Sequence, residues 1–303
     1  HSNFQPAKKT GNDVLMVNNL EIGYDHPLST VSLDLKKGEK LGILGGNGLG
    51  KSTFLKTIVE KIPPLSGEFH YGTNVQIGYF DQQMALLDSE KTVFDDFATE
   101  FPSLTTTEIR NSLAAFMFYG EDVFKKISML SGGEKVRLEL AKILKKGPNL
   151  LILDEPTNHM DIVGKESLER LLEEYKGTIL VVSHDRFFIN KVTDSLLVFS
   201  KQGVKFFDGS YEKYEEERIE EQTEKVQAVK KEKSSNNLYL QQKEQARKDA
   251  RIKKIEKEID ANDKQITDHY AIVPTGQGLN ALRSVSLTAQ RVYETIVRRF
   301  VCI

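Results

Sequence analysis

Residues 45–53 constrain the fold more than any other stretch of the chain. Gly45, Gly46, Asn47, Gly48, Leu49, Gly50, Lys51 and Ser52, with Thr53 after them, fit the spacing G-x-x-x-x-G-K-[ST]. An apolar run at 41–44 precedes them, and a helical pattern over 52–59 follows. Glycine permits the tight turn, so successive backbone N–H groups can point inward at an anion. The helix start adds the positive end of its dipole. In that frame Lys51 is placed to reach β- and γ-phosphates, and the Ser52 hydroxyl to ligate Mg2+. A glycine-rich turn without a ligand is the plainer alternative. The lysine, the serine and both flanking elements weigh against it.

The surroundings agree with an α/β domain. Short β-like runs at 14–22, 39–45, 74–80, 149–156 and 178–184 alternate with helix-like stretches as far as about residue 210. The last two runs are almost continuously apolar, as parallel strands covered on both faces are. Residues 150–153 end in Asp154 and Glu155. An acidic pair after an apolar strand is often just a solvated strand end. About 100 residues after a phosphate loop it has a role: Asp154 in the Mg2+ shell, and Glu155 as the general base that polarises an attacking water.

Leu130, Ser131, Gly132, Gly133 and Glu134 lie about twenty residues before Asp154. This run resembles the signature sequence of ATP-binding cassette (ABC) proteins, and the remaining motifs of that family follow in order over roughly residues 14–215. Tyr24 matches the aromatic that stacks on adenine. Gln82 matches the Q-loop glutamine that senses Mg2+ and the attacking water, and the family makes it a metal ligand with Ser52 and Asp154. Residues 158–161, ending in Asp161, occupy the D-loop place. His184 matches the switch histidine at the γ-phosphate. Singly, Tyr24 could be any surface aromatic, Gln82 a polar strand end and His184 a core histidine. The family implies a P-loop NTPase fold of the ABC ATPase type, a mixed-sheet core with a helical signature subdomain, binding ATP and Mg2+. It also implies that the signature residues serve a nucleotide held by a second cassette, a missing N-terminal half or another copy. The wording around the motifs is similar to the ABC-F class, soluble twin-cassette proteins of which many act on the ribosome. Gly46 departs from a proline common at that place, with little effect expected because the position contributes backbone.

Composition bounds the rest. With 303 residues, 28% charged, 39% hydrophobic and mean hydropathy −0.40, the chain reads as a soluble protein with a packed core. It has no apolar run of the roughly 18 to 20 residues that a membrane span needs. A single cysteine, Cys302, excludes an intramolecular disulfide and any cysteine-rich zinc site, and fits a cytoplasmic location. The start without Met and the apolar end read as two cut ends. Residues 1–13 are expected to be the remnant of an inter-cassette linker, 14–212 the nucleotide-binding domain, and 213–266 a charged helical or coiled-coil extension.

The net charge of −2 is an average over unlike regions. From Glu212 to Glu224 the extension is acidic, and between Lys225 and Lys257 eleven Lys/Arg face four acids, a net of +7. A long helix or helical hairpin is expected here, broken or turned near Ser234–Asn237. The basic block reads either as a solvated arm or as a contact for RNA or DNA phosphate. Residues 267–303 resemble a short piece of bacterial type IA topoisomerases. They are expected to be poorly packed, and His269 receives no catalytic role. The resulting expectation is an ATPase acting as a nucleotide-dependent switch on the ribosome. Its rivals are the ATPase subunit of a membrane transporter and a nucleic-acid-binding module that holds ATP only structurally.

Overall fold

A computed structural model describes residues 4–271. β1 (Asp13–Gly23) and β2 (Pro27–Lys36) pair antiparallel, β3 (Lys40–Gly45) leads into α1 (Lys51–Ile58), and β4 (Ser66–Tyr71) returns to β1, giving a small sheet of order β2-β1-β4. β5 (Ile77–Asp81), β6 (Leu150–Asp154), β7 (Thr178–Val182), β8 (Ser195–Ser200) and β9 (Gly203–Phe207) join β3 in a second sheet of order β5-β6-β7-β3-β8-β9. Every pair in it is parallel except β8 with β9. This is the mixed-sheet α/β architecture expected from the sequence.

β6 and β7 are buried at all five positions. Successive side chains on a strand point to opposite faces. Accordingly Leu151, Leu153, Ile179 and Val181 enter one hydrophobic cluster, and Leu150, Ile152, Leu180 and Val182 enter the other. The sheet is therefore a shared wall between two cores.

Between β5 and β6 the chain forms α2 (Gln82–Ala85), α3 (Val93–Glu100), α4 (Thr106–Ala114) and α5 (Gly132–Lys145). Phe97, Ile109, Leu113 and Phe118 pack with Val136, Leu140 and Leu144 of α5 in the first cluster. Thr105 with Glu108, and Ser131 with Glu134, close reciprocal capping boxes at the starts of α4 and α5. Each such cap stabilises its helix by roughly 1 kcal/mol. α6 (Ile162–Glu174) and α7 (Arg186–Val192) follow β6 and β7, capped by Asp161 and Asp185.

The amino-terminal segment is packed rather than trailing. Phe4 is buried edge-on to Phe116 at 5.1 Å. Gln5 Nε2 donates to the Glu174 carbonyl, and Gln5 Oε1 accepts from the Lys176 N–H. Ala7 N–H reaches the Gly147 carbonyl at 2.9 Å, and Asn149 Nδ2 the Lys8 carbonyl at 3.2 Å.

α8 runs without interruption from Tyr211 to Ala271. The turn expected at Ser234–Asn237 does not form. Serine and asparagine each cost only about 0.5 kcal/mol relative to alanine in a helix, too little to break one this long. The chain divides into two compact units, one ending at Glu220 and the next beginning at Glu221. Of residues 267–303, where a likeness to topoisomerases was expected, 267–271 end α8 and the rest lies outside the described residues.

Candidate functional site

The carboxyl ends of β5, β6, β7 and β3 arrive together, since Asp81 pairs with Asp154, Asp154 with Val182, and Val182 with Ile43. Loops leaving those ends share one edge of the sheet, the usual position for a ligand in parallel α/β folds. The sequence-selected residues Lys51, Ser52, Gln82, Asp154, Glu155 and His184 all leave from it.

The phosphate loop needs its glycines. Gly45, Gly48 and Gly50 have φ of 147°, 77° and 97°, and a Cβ on Gly45 would meet the Phe199 carbonyl oxygen at 2.6 Å. At Gly46 an added Cβ would meet only Leu49 Cδ1, at an ordinary 3.7 Å. Asn47 is exposed. Gly50 caps α1 with no side-chain acceptor on its first N–H groups, so they are available to an anion. Lys51 is buried and folds back, donating to the Gly45 and Gly46 carbonyls at 2.8 Å each. Burial pushes its pKa down, against the pull of Glu155 and Asp154. Thr53 is buried in α1, one residue past Ser52.

Ser52 Oγ donates to Asp154 Oδ1 at 3.1 Å. Burial pushes the Asp154 carboxyl above the ordinary aspartate value, against that hydrogen bond. Glu155 follows in the left-handed region, φ 52°, with its N–H on the Val182 carbonyl at 2.8 Å. Its Oε1 lies 3.2 Å from His184 Nε2, and its Oε2 accepts the His184 backbone N–H at 3.2 Å. Burial raises the Glu155 carboxyl as well, with His184 opposing. Gln82 Oε1 accepts from Asn158 Nδ2 at 3.1 Å. Thr157 Oγ1 and Ser183 Oγ, 3.2 Å apart, tie the loop after β6 to the loop after β7. No motif announces these two links, because their partners lie 76 and 26 residues apart.

Ser52 Oγ and Asp154 Oδ1 form a hard-oxygen pair suited to Mg2+, with Gln82 on the neighbouring strand end. Among the described residues no group of three or more His, Cys, Asp or Glu could hold a metal. That fits Mg2+, which uses few protein ligands and shares the substrate's phosphates.

Tyr24 is 58% exposed just past β1. Its turn lies beside the phosphate loop: Ser29 Oγ donates to the Leu49 carbonyl at 2.7 Å, and Gly50 faces Ile22 and Leu28.

The signature residues form a separate cluster. Ser131 Oγ accepts from Glu134 N–H at 3.2 Å, and Glu134 Oε2 accepts from Ser131 N–H at 2.8 Å. A Cβ on Gly132 would stand 3.1 Å from His159 Cβ, and one on Gly133 only 2.6 Å from the His159 carbonyl oxygen. The two glycines thus let the segment ending in Asp161 lie against the start of α5. Asp161 Oδ1 accepts from Gly164 N–H at 2.9 Å and stands 3.9 Å from Arg137 Nη1. Arg137, one turn into α5, received no role from the sequence.

Comparison with known proteins gives the same domain. The profile described as ABC transporter matches residues 28–158. YdiF of Bacillus subtilis (strain 168) is 47% identical over 72% of this chain and 34% of its own length. YheS of Escherichia coli (strain K12) is 34% identical over 82% and 40%. ABC transporter F family member 5 of Arabidopsis thaliana is 36% identical over 74% and 33%. The chain thus spans a third to two fifths of the length of these relatives. The ADP- and phosphate-bound dimeric cassette MJ0796 shares the fold at 23% identity with a TM-score of 0.54, over 64% of this chain and 98% of that one.

Proposed function

This chain carries an ABC transporter ATP-binding domain, and from that premise we propose that it binds and hydrolyses ATP as the second cassette of an ABC-F-type protein that switches a ribosomal partner. The observation that carries the reaction is Glu155, a half-buried carboxylate fixed against His184 and one residue from Asp154. A triphosphate entering the loop takes over the Lys51 donors now spent on the Gly45 and Gly46 carbonyls, and adds the open N–H groups of α1. Tyr24 stacks on the base. Water attacks the γ-phosphorus and gives its proton to Glu155; the bond from that phosphorus to the bridging oxygen breaks, leaving ADP and phosphate. His184 orients Glu155 and approaches the γ-phosphate. When bound, Mg2+ supplies charge neutralisation at the phosphate oxygens, and Ser52, Gln82 and Asp154 (through water) are the groups that would hold it. Ser131, Gly132, Gly133 and Glu134 present the start of α5 to a nucleotide on a second cassette, with Asp161 beside them.

Relatives named as F family members support the class. Co-sedimentation with ribosomes in ATP, using Glu155→Gln to hold the ATP-bound form, tests the partner. Pelleting that is independent of ATP and of ribosomes would overturn the ribosomal reading, and ATP-dependent recovery with a membrane complex would favour the transporter reading.

A further inference from the structure

At the opposite edge of the six-stranded sheet, the amino-terminal segment roofs a cavity of about 280 Å3. Its floor is Asn149, Gly177 and Thr178, at the amino ends of β6 and β7. Each strand has five residues, so the cavity lies ~16 Å from the edge that carries Asp154. Four lysines line it: Lys8 and Lys9 from the segment, Lys37 after β2, and Lys176 before β7. No acidic side chain lines it, and none of the four lysines makes an ion pair among the described residues. Near the lysines in sequence, Asp13 holds Lys36 and Glu39 accepts the Lys36 N–H at 2.8 Å, while Glu173 and Glu174, just before Lys176, do not line the cavity. The floor is already satisfied, with Asn149 bonded to Gln76, Asn74 and Lys8, and Thr178 Oγ1 accepting from Gly38 N–H.

Four ammonium groups without an ion-pair partner among the described residues, around one nucleotide-sized hollow, call for an anion. All four are exposed at the rim rather than sunk inside, which suits a large solvated partner better than an enclosed small ligand. Lysine contributes point charge without the bidentate fork that arginine offers. Among the described residues no aromatic lines the cavity, and these residues provide no base stacking. The geometry points to this cavity as a docking site for the phosphate backbone of RNA, read without regard to sequence and separate from the nucleotide site. It gives the RNA-containing partner proposed above a contact surface, and rests on that reading for its biological setting. Because half of the lysines come from the amino-terminal segment, bound RNA would also pin that segment to the cassette. Phe4 of the segment in turn reaches Phe116 in the helical region.

The test uses the full 303-residue chain and a fluorescent single-stranded RNA of mixed sequence, titrated at several salt concentrations. Replacing Lys8, Lys9, Lys37 and Lys176 by glutamine should weaken binding by about tenfold or more and flatten the slope of log affinity against log salt by roughly two to three units. ATP affinity and melting temperature should stay unchanged. Arginine at all four positions should retain binding, and glutamine at Lys243, Lys248, Lys253 and Lys254 of α8 tests the rival basic element. Wild-type affinity in the glutamine variant overturns the site, as does equal loss in the arginine variant or displacement of RNA by inorganic triphosphate alone. Cavity-dependent RNA binding without ribosome co-sedimentation would remove the ribosomal reading and leave the site standing.

Discussion

The phosphate-loop edge and the signature turn handle their polar groups in opposite ways. At the loop edge, reactive groups are parked on partners that a ligand can replace: Lys51 on two carbonyls, Ser52 on Asp154, Glu155 on His184. At the signature turn, Ser131 and Glu134 satisfy each other's backbone in a closed capping box, and Gly132 and Gly133 between them lie against His159. One region is a switchable cradle; the other is a rigid rim. A rigid rim suits a surface pressed onto a nucleotide that something else already holds.

The contrast can be broken first at its strongest point. Glu155→Gln should lower turnover by about 100- to 10,000-fold while ATP binding is kept; phosphate release and equilibrium ATP titration measure the two separately, and unchanged turnover would remove Glu155 as the base. Next, the rim predicts dependence on a second cassette. Turnover per chain should rise with protein concentration, and Ser131→Ala should depress that rise while leaving ATP affinity of the dilute chain intact. A rate per chain that is flat across dilution would contradict the split site.

Smaller effects sharpen the comparison. Gly133→Ala puts a Cβ where the His159 carbonyl oxygen stands 2.6 Å away, and should cost about 1–3 kcal/mol. Gly46→Ala has room, and should stay within about 0.5 kcal/mol. Thermal melting of the pair decides it; equal melting points would mean the rim is soft. The smallest effect concerns pH. Burial raises the carboxyls of Asp154 and Glu155, so the folded metal-free chain holds their protons more tightly than the unfolded one. Its stability should therefore decline as pH climbs from the ordinary carboxylate range through those raised values. Asp154→Asn should flatten that decline, and an unaltered stability–pH curve in the variant would refute the burial argument.

Much of the cradle was legible because its residues are contiguous. The glycine spacing before Lys51 and the apolar runs of β6 and β7 each carry their own signal. What escaped was non-local or came down to small energies. Gln82 meets Asn158 across 76 residues, and Gln5 meets Glu174 across 169; no periodicity announces such pairs. β2 buries only Val31, Leu33 and Leu35 on alternate positions, among polar neighbours. The serines and asparagines at 234–237 suggest a break by residue type, yet the sum of their propensities does not stop α8.

Glu155 occupies a left-handed backbone position that costs a side-chain-bearing residue about 1–2 kcal/mol. Glycine there would relieve the backbone and remove a half-buried carboxylate, so Glu155→Gly should melt higher than the parent chain. In the proposed reaction, then, the general base is held against the interest of the fold. In any descendant released from the need to turn over ATP, position 155 is where drift toward a more durable and silent cassette would start.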